Sequence, residues 1–253
     1  MRKIGILILS VVALIALGSS AYAAGIATTK HNLALNGTGT GNITGQSKEI
    51  CIYCHTPHGG STDAPLWNRM DQGVAASYTL YDSRTFDATF ADTSAPTGVS
   101  KACLSCHDGT LGVNQLRNLP GSGFGSPPTP DTTLTAAGLS NPAAFIDTDL
   151  TNDHPVSMKY DTALSPGTGG AIGENTHASG FRAESGTSPK FVVDGTGSTG
   201  VILPLYTADK LVQCASCHDP HQDTTSTVLG EESVAFLRVA NTGSQLCLTC
   251  HLK

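Results

Sequence analysis

Four short runs hold every cysteine of the chain, and all share one spacing: Cys51-Ile52-Tyr53-Cys54-His55, Cys103-Leu104-Ser105-Cys106-His107, Cys214-Ala215-Ser216-Cys217-His218 and Cys247-Leu248-Thr249-Cys250-His251. Two thiols three positions apart on one turn can form thioethers with the two vinyl groups of a haem. The histidine that follows then lies under the iron as its proximal ligand. The pattern predicts four covalently attached c-type haems (haem c, iron), with the eight cysteines as attachment residues and His55, His107, His218 and His251 as proximal ligands. Structural disulfides and zinc ribbons also use C-x-x-C pairs. Neither asks for histidine directly after the second cysteine, here four times in four.

Five histidines remain for the opposite faces of the irons: His31, His58, His154, His177 and His221. Methionine is the competing ligand, but beyond the N-terminal stretch only Met70 and Met158 are available. Bis-histidine ligation of every haem is the economical expectation, and it implies low reduction potentials. His58 and His221 each follow a proximal histidine by three residues, in C-x-x-C-H-Thr-Pro-His and C-x-x-C-H-Asp-Pro-His. Three residues reach at most about 10 Å, too little to round a macrocycle and return to the same iron. Each is therefore expected to ligate a different haem from the one attached beside it, clamping two haems together through a turn stiffened by Pro57 or Pro220. His154, before Pro155, is a further distal candidate, with Asp153 as an acceptor orienting its ring. His31 completes the set, and His177, in a flexible Gly/Ser context, is the reserve distal ligand.

The elements that must hold these residues are weakly encoded. Hydrophobic residues make up 39% of the chain and charged ones 13%, with 28 glycines and 13 prolines. The expected fold is that of a multihaem cytochrome c: mostly irregular coil with a few short helices and little β, organised around a row of four closely packed haems. Helix is expected at the haem motifs and around Glu231–Val239, and one hairpin from Lys190–Asp194 against Val201–Leu205 across a Gly-rich turn. Residues 1–23 read as a signal peptide, with Arg2 and Lys3, an apolar stretch to Leu17 and Ala21-Tyr22-Ala23 before the cut. No later stretch is long and apolar enough to suggest an integral membrane span. The two motif pairs resemble one another, which suggests a first two-haem module over 24–118, a Gly/Ser/Thr/Pro-rich connecting segment over 119–205 that contributes distal histidine, and a second two-haem module over 206–253. Net charge is −6 with only 14 Lys and Arg in all, a poor basis for nucleic-acid binding.

Lys30-His31-Asn32-Leu33, the run Cys51–Gly59, Ala64-Pro65-Leu66-Trp67-Asn68, Cys103–Thr110, Asn152–Ser157, Cys214–His221 and the closing Cys247–His251 together resemble exported tetrahaem c-type cytochromes. The tetrahaem count and plan are similar to the polymerising outer-surface (OmcE-type) multihaem cytochromes of metal-reducing bacteria. The resemblance implies alternately stacked and T-shaped haem pairs, and a location from periplasm to extracellular space or cell surface. It also implies filaments built from further copies of the chain, with an axial histidine shared between subunits, passing electrons to redox partners or extracellular acceptors. The competing readings are a multihaem reductase of nitrite, hydroxylamine or a sulfur oxyanion with one open haem, a monomeric periplasmic electron carrier, and a haem-bearing surface scaffold. Histidines sufficient for every iron argue for electron transfer over an enzyme.

Overall fold

The computed structural model describes residues 24–34, 37, 47–70, 77–84, 86, 88–119, 133–135, 142–160, 181–182, 191–193, 202–221, 236–239 and 241–252. The expected signal peptide and His177 lie outside these residues. Regular structure is sparse, as a chain rich in turn formers and poor in apolar periodicity dictates. In order come α1 (Ala24–Ala27), a 3-10 turn (Cys51–Tyr53), α2 (Gly98–His107), a 3-10 turn (Pro142–Ala144), β1 (Met158–Lys159), β2 (Phe191–Val193), β3 (Ile202–Pro204), β4 (Leu211–Val212), α3 (Cys214–Cys217), a 3-10 turn (Thr242–Ser244) and α4 (Gln245–Cys250). Each cysteine motif coincides with a helical turn, as the sequence suggests. Gly98 enters α2 at φ +54° and brings the backbone against the Gln213 side chain.

The expected hairpin is present: β2 runs antiparallel to β3, with Phe191 opposite Pro204 and Val193 opposite Ile202. A second antiparallel pair, Met158 opposite Val212 and Lys159 opposite Leu211, has two residues per strand and no legible period. The helix expected over Glu231–Val239 is absent from its described part, Phe236–Val239. Phe236 sits at φ +65° and Leu237 forms an antiparallel bridge with His218, so contact with the third motif overrides a weak local preference.

Among the described residues the apolar core is divided into three patches, each built onto a cysteine motif. Tyr53, Val113, Leu116 and Leu134 pack with Ile52 and Cys54 at the first motif. Tyr78, Leu104 and Leu150 gather under the second. Met158, Tyr160, Leu205 and Val212, with Phe181, reach Cys250 of the fourth. Met158, one of the two methionines considered as ligands, is thus a buried core residue.

Candidate functional site

The cysteine motifs follow one another in space as they do in sequence. Cys54 of the first lies within electrostatic reach of Cys106 of the second. The thiols of Cys103 and Cys214, first cysteines of the second and third motifs, are in hydrogen-bonding contact, which raises Cys103 and lowers Cys214. Cys217 of the third is within reach of both Cys247 and Cys250 of the fourth. All eight thiols are free of disulfides. Burial pushes Cys54 and Cys250 up to about 12 and Cys217 up to about 11, so each is a neutral thiol in the folded chain.

Three motifs are held by the same device, a dipeptide from elsewhere in the chain laid antiparallel across the motif. Its first residue bridges the motif histidine: Trp67 to His55, Leu237 to His218 and Phe181 to His251. The backbone N–H of its second residue donates to the carbonyl of the second cysteine: Asn68 to Cys54 at 2.9 Å, Arg238 to Cys217 at 2.8 Å and Arg182 to Cys250 at 2.8 Å. The side chain of that residue donates to the carbonyl just after the first cysteine: Asn68 Nδ2 to Ile52 at 2.8 Å, Arg238 Nε to Ala215 at 2.8 Å and Arg182 Nε to Leu248 at 2.8 Å. A single helical turn leaves these carbonyls without intrahelical partners, and the clasp supplies them. The second motif lacks this clasp because it ends the ten-residue α2, where Asp108 N–H already donates to Leu104 O.

Histidine rings outside the motifs meet rings inside them. His221 lies 6.0 Å from His55 between centroids at 17°, His31 lies 6.1 Å from His107 at 88°, and His154 lies 6.5 Å from His251 at 79°. Two imidazoles on opposite faces of one metal, each bonded at about 2 Å, hold their centres roughly 6 Å apart. The donor set therefore fits a group that takes one ligand on each side. Among the described residues no three His, Cys, Asp or Glu side chains gather into a metal cage. A porphyrin supplies its own four nitrogens and needs no such cage. Ring orientation is set by outer contacts: Nδ1 of His55 donates to Pro65 O at 2.8 Å, Nδ1 of His107 to Ala144 O at 2.6 Å and Nδ1 of His154 to Pro155 O at 3.0 Å, leaving Nε2 with its lone pair. The partner of His154 is thus a carbonyl rather than the Asp153 carboxylate; burial and Asp149 instead raise the Asp153 pKa. His31, stacked on Phe236 at 4.4 Å, is pulled down to about 4 by burial and by His107, which keeps it as the neutral imidazole a metal binds.

His58 and His221, alike in sequence, are placed differently. The His58 ring is exposed and meets no other ring among the described residues, while its carbonyl accepts from Asn118 Nδ2 at 3.1 Å. The loop that follows it, Gly59–Leu66, borders an open groove of about 590 Å³ whose far wall includes Tyr206 and Gln213, next to Cys214.

The clasp residues were not singled out by sequence reasoning for any role at the motifs, nor was Asp219. Asp219 Oδ1 accepts from the His221 backbone at 3.1 Å and lies 3.4 Å from its Nδ1, while Oδ2 accepts from Arg238. The one available signal was the recurrence of an apolar residue followed by Arg or Asn. A family described as Doubled CXXCH motif matches residues 207–253, which contain the third and fourth motifs. That match identifies covalent c-type haem attachment and points to a multihaem cytochrome engaged in electron transfer. No curated protein matches the chain.

Proposed function

We propose that this protein is an electron conduit: four bis-histidine c-type haems in one row, in an exported subunit that polymerises into an extracellular filament. The observation that carries the proposal is the set of three ring pairs, each joining a motif histidine to one from outside the motifs at a separation that suits an iron between them. On this reading Cys51, Cys54, Cys103, Cys106, Cys214, Cys217, Cys247 and Cys250 hold the haems. His55 and His221 serve the first, His107 and His31 the second, and His251 and His154 the fourth. His218 is the proximal ligand of the third. Its distal ligand comes from His58, whose loop faces Gln213 across the groove, or from the reserve His177, either within the chain or from an adjoining copy.

The haems supply reversible one-electron chemistry when bound. The chain supplies spacing, ligands and insulation. Contact between successive motifs keeps neighbouring groups close, and Cys51 and Cys247, at the two ends of the row, are exposed, so electrons have a way in and a way out. Filament formation follows from the resemblance described above.

Iron and pyridine-haemochrome analysis of the purified protein gives about four covalent haems per polypeptide on this reading. Low-temperature electron paramagnetic resonance of the oxidised protein shows low-spin ferric haem, unchanged by nitrite. A high-spin fraction that shifts with nitrite instead assigns the protein to the reductases. Electron microscopy of material from the cell surface shows filaments if copies polymerise and dispersed particles if the protein is a monomeric carrier.

A further inference from the structure

Arg69 is 1% exposed, yet among the described residues no carboxylate pairs with it. Its Nη1 donates to Val113 O, and its Nη2 donates to Gly112 O at 2.6 Å and Ser105 O at 3.3 Å. Nε is buried without an acceptor. Carbonyl dipoles solvate the guanidinium without cancelling its charge, and arginine does not give up its proton in a protein. A full positive charge is therefore fixed in a low-dielectric interior, where it acts at longer range than at a surface.

Its position is specific. Ser105 lies inside the second motif, between Cys103 and Cys106, and Arg69 follows Asn68, the residue that clasps the first. The backbone N–H of Asn68, one residue before it, donates to Cys54 O at 2.9 Å, which places Arg69 between the first and second motifs. Among the described residues the other buried charge beside these motifs is Asp108, whose oxygens accept from Tyr78 OH at 2.5 Å and from Thr110 N–H and hydroxyl at 2.8 Å each, on the side of the second motif. Arg238, the clasp cation at the third motif, is by contrast neutralised by Asp219 at 3.0 Å. A buried cation without a counter-charge lowers stability, a cost that a packing role alone does not explain.

We infer that Arg69 sets the reduction potential of the haem attached at Cys51 and Cys54, holding it above the value that bis-histidine ligation alone would give. A positive charge near the iron disfavours the more positive ferric state, and local charge is one of the means by which a protein sets a haem potential. Asp108 offsets the effect at the second motif, so of these two haems the first is raised more and holds its electron longer. The inference rests on the haem reading proposed above.

The test is a spectroelectrochemical titration of the full-length holoprotein, comparing the native chain with Arg69→Gln, Arg69→Met and Arg69→Lys. The component belonging to the first haem is the one missing from a chain carrying Cys51→Ala and Cys54→Ala. In the Gln and Met variants that component titrates at lower potential, with about a tenfold rise in its ferric-to-ferrous ratio at fixed poise, while the Lys variant stays near the native value. Gln can still donate to one carbonyl, so it reports even if Met fails to fold. Unchanged titration in the neutral variants overturns the inference, and so does an equal fall in the Lys variant, which assigns the effect to geometry. Either result, obtained with haem content intact, leaves the haem reading standing. Absence of covalent haem from the native chain removes that reading itself.

Discussion

A histidine three positions after a proximal histidine cannot return to the same iron, and the His221 ring lies 6.0 Å from His55, a residue of a different motif. Replacing His221 by Gly is therefore expected to convert one ferric haem from low-spin to high-spin, read by electron paramagnetic resonance and by the charge-transfer band near the red end of the optical spectrum. Its identity follows from a double substitution. In a chain already lacking the first haem through Cys51→Ala and Cys54→Ala, His221→Gly adds no further high-spin signal. An added signal there assigns His221 to the haem beside it and refutes the clamp. The motif histidines were legible because their signature is local, five residues carrying the whole of it. The pairing of the other rings with motif rings was not, since His31 reaches His107 and His154 reaches His251 only through the fold. His58 shows the limit of motif reasoning: the same Pro-His ending occurs in both loops, yet only one ring meets a partner among the described residues.

At the scale of elements, the hairpin could be read because β-branched and aromatic residues flank a Gly-rich turn. The clasps could not, because two residues carry no periodicity and their partners lie far away in sequence. Their energetic weight is open to measurement. Asn68 is fully buried; its side chain donates to Ile52 O and to Asn118 O at 3.0 Å and accepts from Asn118 N at 2.8 Å. Asn68→Ala strands several buried groups and is expected to cost about 2–4 kcal/mol. Arg182→Ala removes the side-chain donor to Leu248 O and is expected to cost about 1–2 kcal/mol. Arg238→Ala costs less, because the Tyr206 hydroxyl still donates to Ala215 O at 3.2 Å and the lost pair with Asp219 is partly solvated. The order Asn68, Arg182, Arg238 in denaturant unfolding followed at the Soret band checks the argument. Equal losses would mean that the clasps act only as generic packing. Leu66 and Phe236, which precede Trp67 and Leu237, both adopt positive φ, so the entry to these two clasps is strained backbone held by the contacts it creates.

Across the whole molecule the decisive joint is the one between the second and third motifs, where the two similar motif pairs meet. Gln213 is 1% exposed; its Oε1 accepts from Ser100 N at 2.9 Å, and Ser100 Oγ in turn accepts from Cys214 N at 3.0 Å. Ser157 joins the same network, its Oγ accepting from Thr97 N at 2.8 Å and donating to Gln213 Oε1 at 3.4 Å. The start of α2 is thereby fastened to the start of α3, which brings Cys103 and Cys214 into contact. No core patch bridges this joint among the described residues, so polar contacts position it, and removing one acceptor leaves buried donors unpaired. Gln213→Ala is expected to cost about 1–3 kcal/mol and to loosen the joint without touching any ligand. Covalent haem content and the low-spin spectrum then stay as in the native chain, while electron equilibration between the two haem pairs slows in pulse-radiolysis transients. Equilibration at the native rate in a variant shown to be destabilised means that the covalent row, rather than this polar joint, fixes the distance between the pairs.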